Sequence, residues 1–385
     1  MPLRFRKVLI SDEIFESAAV FDVDGDGVLD IVSGAWWYKG PDFTERFHIA
    51  EVRQDWDFFD DLSNIPMDIN GNGRTDYVTG GWHGKTLRWH ENPGAPWTEW
   101  PVHTIADTGF LEATGAWDVD GDGHIEVVPN TPRDPLVVYK LARDKRGKGK
   151  GYFDAFRIWD RPQKHGLGWG DLTGNGRGDF VTTFGWLECP ENPLTGEWVF
   201  HDDFDLSFGV QYGSASFPIL VTDVNGDGVN DLIVGQGHTY GLHWIEHRIE
   251  GKKHTWTPHP IDPFNSQYHD LRWVDIDGDG EMELVTGKRY RSHRDNDLGA
   301  HDPYGLYYFK WTGEGFAKQV IDYGEKRDTT GTGIQMAIVD LTGNGLPDIV
   351  APGKDGLYVF YNLGEAPHWE VQWQWEQEKK RGEKT

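Results

Sequence analysis

The sequence predicts an all-β fold, a seven-bladed β-propeller of four-stranded antiparallel blades. Three observations carry that expectation. An acidic, glycine-rich nonapeptide recurs seven times, its copies stand 46 to 65 residues apart, and each repeat holds four short strand signals without a useful run of helical periodicity.

The repeat reads Asp, an apolar residue, Asp/Asn/Thr, Gly, Asp/Asn, Gly, two variable positions and Asp/Glu. It begins at Asp22 (DVDGDGVLD), Asp68 (DINGNGRTD), Asp118 (DVDGDGHIE), Asp171 (DLTGNGRGD), Asp223 (DVNGDGVND), Asp275 (DIDGDGEME) and Asp340 (DLTGNGLPD). Seven copies exclude chance. In the fifth repeat an apolar run at 218–222 leads into the first Asp, and a second at 232–234 follows the loop. A third at 241–245 is aromatic, and a fourth at 255–259 carries Trp256. These are strands A to D of one blade. Seven such sheets in a ring leave only short, protected edges. The propeller is expected to span 1–375, with a charged tail at 376–385. Ring closure has two candidates. Residues 5–10 read as a D strand lacking its own A, B and C, able to complete the blade begun at 334. Residues 368–375 compete for the same place.

The composition agrees with a large aromatic core: of 385 residues, 19 are Trp, 20 Phe and 14 Tyr, and 49 Gly supply tight turns. The net charge of −26 disfavours nucleic acid and anionic membranes, and it favours divalent cations. The single cysteine, Cys189, excludes an intrachain disulfide and reads as a buried filler. No apolar stretch is long enough for a membrane helix. The first six residues hold no signal-peptide core, so a cytoplasmic location is expected unless a signal has been removed.

The loops have the chemistry of calcium sites. A hard cation takes six to eight oxygens, and positions 1, 3, 5 and 9 of a tight loop supply them. Those positions are Asp22, Asp24, Asp26 and Asp30; Asp68, Asn70, Asn72 and Asp76; Asp118, Asp120, Asp122 and Glu126; Asp171, Thr173, Asn175 and Asp179; Asp223, Asn225, Asp227 and Asp231; Asp275, Asp277, Asp279 and Glu283; and Asp340, Thr342, Asn344 and Asp348. An EF-hand is excluded. It needs Glu at position 12, where this chain has Ser33, Thr79, Pro129, Thr182, Val234, Thr286 and Ala351. The loops from Asp68, Asp171 and Asp340 offer two carboxylates each and are expected to bind more weakly than those with four. The competing reading is a turn held by the Asp side chain alone.

These repeats resemble the FG-GAP or VCBS family of propeller blades, also found in integrin α subunits. The resemblance implies that the acidic loop joins strands A and B with calcium on that face. It also implies that ligands bind the opposite face, on the D–A and B–C loops. Sorted by that topology, His165 and His269 precede A strands and His238 lies in a B–C loop. Three histidines on consecutive blades can converge to hold Zn²⁺ or a similar divalent metal. The same face carries His83, Trp82, Trp36, Trp37, Arg133, Phe184 and Trp186. The longest blade adds Lys288, Arg289, Tyr290 and His301. Aromatic rings beside Arg and Lys suit a small sugar or oligosaccharide, especially one with a carboxylate.

His165, His238 with Tyr240, His269, and the segment from Gly287 through Tyr290 to His301 resemble the propeller domain of the aldos-2-ulose dehydratases. That resemblance implies a zinc-assisted loss of water from a keto-sugar, while any activity that needs that family's additional domains is not expected of these 385 residues. Other seven-bladed propellers are polysaccharide lyases. Both chemistries are β-eliminations. The expected roles are metal on His165, His238 and His269, base His83 or His301, acid Tyr290 or Tyr240, and anchor Arg289. The alternatives are a non-catalytic carbohydrate- or protein-binding propeller, and a hydrolase or isomerase on the same face.

Overall fold

The computed structural model describes residues 2–210, 214–325 and 328–365. Seven four-stranded antiparallel sheets follow one another along the chain. In the fifth, Leu220–Thr222, Asp231–Gly235, Tyr240–Glu250 and Lys253–Ser266 pair in sequence order. The one helical element among the described residues is a 3-10 turn, Ser292–Asp295. No helix is long and apolar enough to cross a membrane.

The N-terminal strand closes the ring. Leu3–Ser11 is the outer strand of the seventh sheet, paired with Gly356–Glu365 in a register that sets Val8 against Val359. Asp348–Gly353 and Ala337–Val339 complete that sheet. The first and last described strands are thus joined within one sheet, which removes the open edges an unclosed array would leave. The competing segment 368–375, the domain end at 375 and the tail 376–385 lie outside the described residues.

Each acidic loop joins strands A and B, and its hydrogen bonds explain its residue order. Asp22 Oδ1 accepts from the Gly25 N–H at 2.7 Å, and Oδ2 accepts from the Gly27 N–H at 2.9 Å. That fold needs φ values of 78° and 84° at the two glycines, which side chains rarely tolerate. Position 9 has another task. Asp30 is fully buried and accepts from Val23 N–H (2.9 Å) and Gly40 N–H (2.8 Å), stapling the loop to strand C. Asp76, Asp179, Asp231 and Asp348 repeat this double capping. Unmet buried N–H groups are costly, so an acid there is explained by the fold alone.

The core lies between neighbouring sheets. Trp37 stacks on Phe47 at 4.4 Å, Trp186 on His201 at 4.1 Å, and both indoles are fully buried. Trp37 and Trp186, expected on the ligand-binding face, are therefore blade packing. Each contributes about 2–3 kcal/mol of burial.

Candidate metal centre and cleft

Six residues before the first Asp of each loop, the chain turns into strand A. The residues at that register are Glu16, Leu62, Glu112, His165, Phe217, His269 and Ile334, and all are buried. Six of them form two groups, and the seventh, Glu16, pairs with Arg289. Leu62, Phe217 and Ile334 line an axial cavity of about 160 Å³ with residues of five blades. Glu112, His165 and His269 meet on the cleft side, where His238 joins them from the turn between Asp231–Gly235 and Tyr240–Glu250.

One ligand atom from each of Glu112, His165, His238 and His269 lies within 4.8 Å of the others. The expected three histidines do converge, and a carboxylate not foreseen completes the set. His165 Nδ1 is 2.7 Å from the Ala215 carbonyl oxygen, an acceptor, so Nδ1 carries the proton and donates. His238 Nδ1 donates to Asp297 Oδ2 at 3.0 Å for the same reason. Both Nε2 atoms are thereby left with lone pairs, and they face each other at 3.0 Å. His269 Nε2 and His165 Nε2 stand 3.3 and 3.6 Å from Glu112 Oε1. Burial holds His238 down to about 3 and His269 to about 4, so both are neutral near pH 7. Burial would raise Glu112, but its contacts with the His165 and His269 rings and the charge of Arg289 hold it well below the usual range. The Nε2 lone pairs of His165 and His238, the ionised Glu112 and His269, whose unpartnered Nδ1 can take the ring proton when Nε2 binds a cation, fit Zn²⁺ or a similar borderline ion.

The supports around this set are themselves anchored. Asp297 accepts from His238, from His293 Nδ1 (2.9 Å) and from Ser292 Oγ (2.7 Å). Burial opposes its ionisation, yet the two histidines hold its carboxyl below the usual range. Arg289 Nε and Nη2 donate to the two oxygens of Glu16 at 2.9 and 3.2 Å, and Nη1 stands 3.5 Å from Glu112.

A cleft of about 500 Å³ opens above the set, lined by Trp82, Glu112, Pro132, Arg133, Pro162, Lys164, His165, His238 and His293. A second lobe of about 230 Å³ shares Trp82, Glu112 and His293 and adds Phe58, Phe59, His83 and Arg289. His83 lies in this lobe with its Nδ1 2.9 Å from Asp55 Oδ2. Asp55 belongs to an inserted hairpin, Gln54–Asp55 with Phe58–Phe59, between the first two blades.

Four other expected residues are placed differently. Arg289 lines the second lobe, but it is 2% exposed and taken by Glu16, so it supports Glu112 instead of anchoring substrate. Tyr290 packs on Tyr304 at 4.6 Å, and burial pushes its phenol up to about 12. Tyr240 donates to Asp302 Oδ2 at 2.6 Å, and His301 is exposed. None of Tyr240, Tyr290 and His301 lines either lobe. All three flank or belong to the sixth-blade insertion, whose path the repeat pattern does not specify.

Glu112, Glu16, Asp297, Asp55 and Lys164 were missed. Glu112 and Glu16 had a signal: they hold the register of His165 and His269, six before the loop. Asp297 and Asp55 lie in insertions outside the repeat and had none.

Six of the seven acidic loops are of two kinds, and at the seventh, from Asp340, strand C carries Asn362. In those with four carboxylates a lysine from strand C reaches in. Lys39 meets Asp24 and Asp26; Lys140 meets Asp120 (2.7 Å), Asp122 (2.7 Å) and Glu126 (3.0 Å); Lys310 meets Asp277 (2.6 Å), Asp279 (2.5 Å) and Glu283 (3.4 Å). In the second, fourth and fifth blades strand C carries Glu91, Glu188 and Glu246, each paired with a strand-D histidine, His103, His201 or His259, at 2.9–3.0 Å.

Comparison with known families matches the FG-GAP-like repeat to residues 68–129 and 223–286, so the chain carries FG-GAP-like repeats. A comparison with curated proteins finds no match.

Proposed function

We propose that this seven-bladed propeller of FG-GAP-like repeats is a carbon–oxygen lyase that performs metal-assisted β-elimination on a sugar. The observation that carries the reading is the opposed pair of Nε2 lone pairs on His165 and His238, 3.0 Å apart beside Glu112 and His269. Lone pairs held face to face repel unless a proton or a cation lies between them. With both Nδ1 atoms already committed to acceptors and His238 kept neutral by burial, the arrangement favours the cation.

Glu112, His165, His238 and His269 would hold a divalent ion, which when bound stabilises negative charge on a carbonyl or carboxylate oxygen. The chain's own residues do the rest. His83 Nε2 takes the proton next to that carbonyl, with Asp55 holding the other ring nitrogen in place. The C–H electron pair becomes the new C=C bond, the β C–O bond breaks, and the departing oxygen takes a proton from the imidazolium or solvent. Trp82, shared by both lobes, offers an apolar face for the sugar ring. Calcium in the acidic loops supports the fold in this reading, remote from the reaction.

Elimination creates a conjugated product that absorbs in the ultraviolet, and hydrolysis does not. Keto-sugars, osones and uronate oligosaccharides incubated with the metal-loaded protein should give rising absorbance. No chromophore across that panel removes the lyase reading, and binding without turnover leaves a carbohydrate-binding propeller.

A further inference from the structure

One wall of the larger lobe is cationic in a chain of net charge −26. It is made by Arg133 in the B–C turn of the third blade and Lys164 in the loop entering the fourth. Arg133 forms no ion pair among the described residues. Its guanidinium lies over an aromatic ledge, 4.7 Å from the Phe110 ring and 5.6 Å from Trp82, and those rings stand 4.9 Å apart. A cation held over ring faces is positioned without consuming its N–H groups, which remain for a planar acceptor.

The wall is built from beneath. Gln163, 1% exposed, donates through Nε2 to Thr131 Oγ1 (2.9 Å) and to the Pro135 carbonyl (3.0 Å). Asn130, fully buried, donates to Gln163 Oε1 and to the Lys164 carbonyl, each at 3.0 Å. The Lys164 N–H donates to the Pro132 carbonyl at 3.0 Å. Two buried amides thus clamp the loop bearing Lys164 to the turn bearing Arg133. Desolvating two amides is costly unless they are satisfied, and satisfied networks make rigid scaffolds. A surface left to solvent needs no such clamp.

We propose that Arg133 and Lys164 form a carboxylate subsite, and that the sugar taken by this cleft is a uronate. The subsite rests on the reading of the cleft as a sugar site, and it adds the charge of the substrate. A carboxylate matches the fork of Arg133 in two parallel hydrogen bonds, with Lys164 as a second positive charge. The metal set lies on the floor of the same lobe, so a neutral sugar would leave Arg133 without an ion pair.

The test is equilibrium binding, read by Trp fluorescence or calorimetry, on protein with and without the divalent ion. The probes are galacturonate and glucuronate disaccharides as free acids, their methyl esters, and a sugar sulfate. Free acids should bind roughly 10- to 100-fold more tightly than esters, the scale of a charged hydrogen bond. The preference should persist without the ion. In Arg133→Ala it should shrink to about twofold with bound metal unchanged, and Arg133→Lys should retain part of it. The proposal is overturned if acid and ester bind alike, if the preference survives in Arg133→Ala, or if no acid binds at millimolar concentration. Equal, Arg133-dependent binding of the sulfate would overturn the assignment to carboxylate. A failed elimination assay leaves this comparison intact, because it reads binding and not turnover.

Discussion

His165 Nε2 and His238 Nε2 face each other at 3.0 Å, and each ring has its other nitrogen tied to an acceptor, the Ala215 carbonyl for one and Asp297 for the other. Two blades therefore commit their histidines to one point before any ligand arrives, which is what pre-organisation of a metal site requires.

His165→Ala, His238→Ala and His269→Ala should each remove most of the bound transition metal, measured by elemental analysis, with circular dichroism unchanged. Asp297→Asn keeps the shape and loses the charge behind His238, and should weaken metal affinity roughly 10- to 100-fold. Wild-type metal content in all three histidine variants would sink the assignment.

His83→Ala should slow elimination by roughly 10²–10⁴-fold, the usual weight of a general base. Asp55→Asn should lower kcat more than KM, because Asp55 orients His83 through a 2.9 Å contact and lines neither lobe. His301→Ala and Tyr290→Phe should leave kcat nearly unchanged. A collapse of turnover in His301→Ala with His83→Ala unaffected would reverse the assignment.

Lys310 neutralises a loop whose Glu283 is pushed up to about 7 by burial. In chelator, Lys310→Met should lower the melting temperature, and millimolar calcium should restore it, since a cation bound only to the folded state stabilises it. Asp275→Ala should destabilise more than Asp171→Ala. Failure of calcium to restore Lys310→Met would mean that this loop holds no calcium.

His90 stacks on Tyr77 at 4.7 Å, has no partner for either nitrogen, and is held down to about 3 by burial. The unfolded chain takes up its proton near 6.5, the folded chain only near 3. Stability is therefore full above about 6.5 and falls as pH drops from there toward 3. At pH 5 the loss is roughly 2 kcal/mol. Denaturant melts at pH 7 and pH 5 should show it, and His90→Phe should lose that part of the dependence. An equal drop in His90→Phe would assign the acid sensitivity elsewhere.

The sequence by itself determined the blades, because seven copies of one nonapeptide each impose the same turn: Asp22 and its six counterparts must fold onto their own backbone N–H groups, and only Gly fits at positions 4 and 6. Taken with the blade topology that the resemblance to known repeats implies, it also put His165, His238 and His269 on one face, since a repeat converts spacing along the chain into position around a ring. The completion of that site came only from the tertiary structure. Glu112 stands beside His269 although 157 residues separate them, because ring closure brings distant blades to one axis. Asp297 and Asp55 reach the site from insertions that obey no period. Tyr290 and Arg289 turned inward because a ring and a guanidinium that find Tyr304 and Glu16 within the fold lose less by burial than by remaining free. Local repetition places residues on a face; which of them meet depends on packing between segments whose order in space the repeat does not encode.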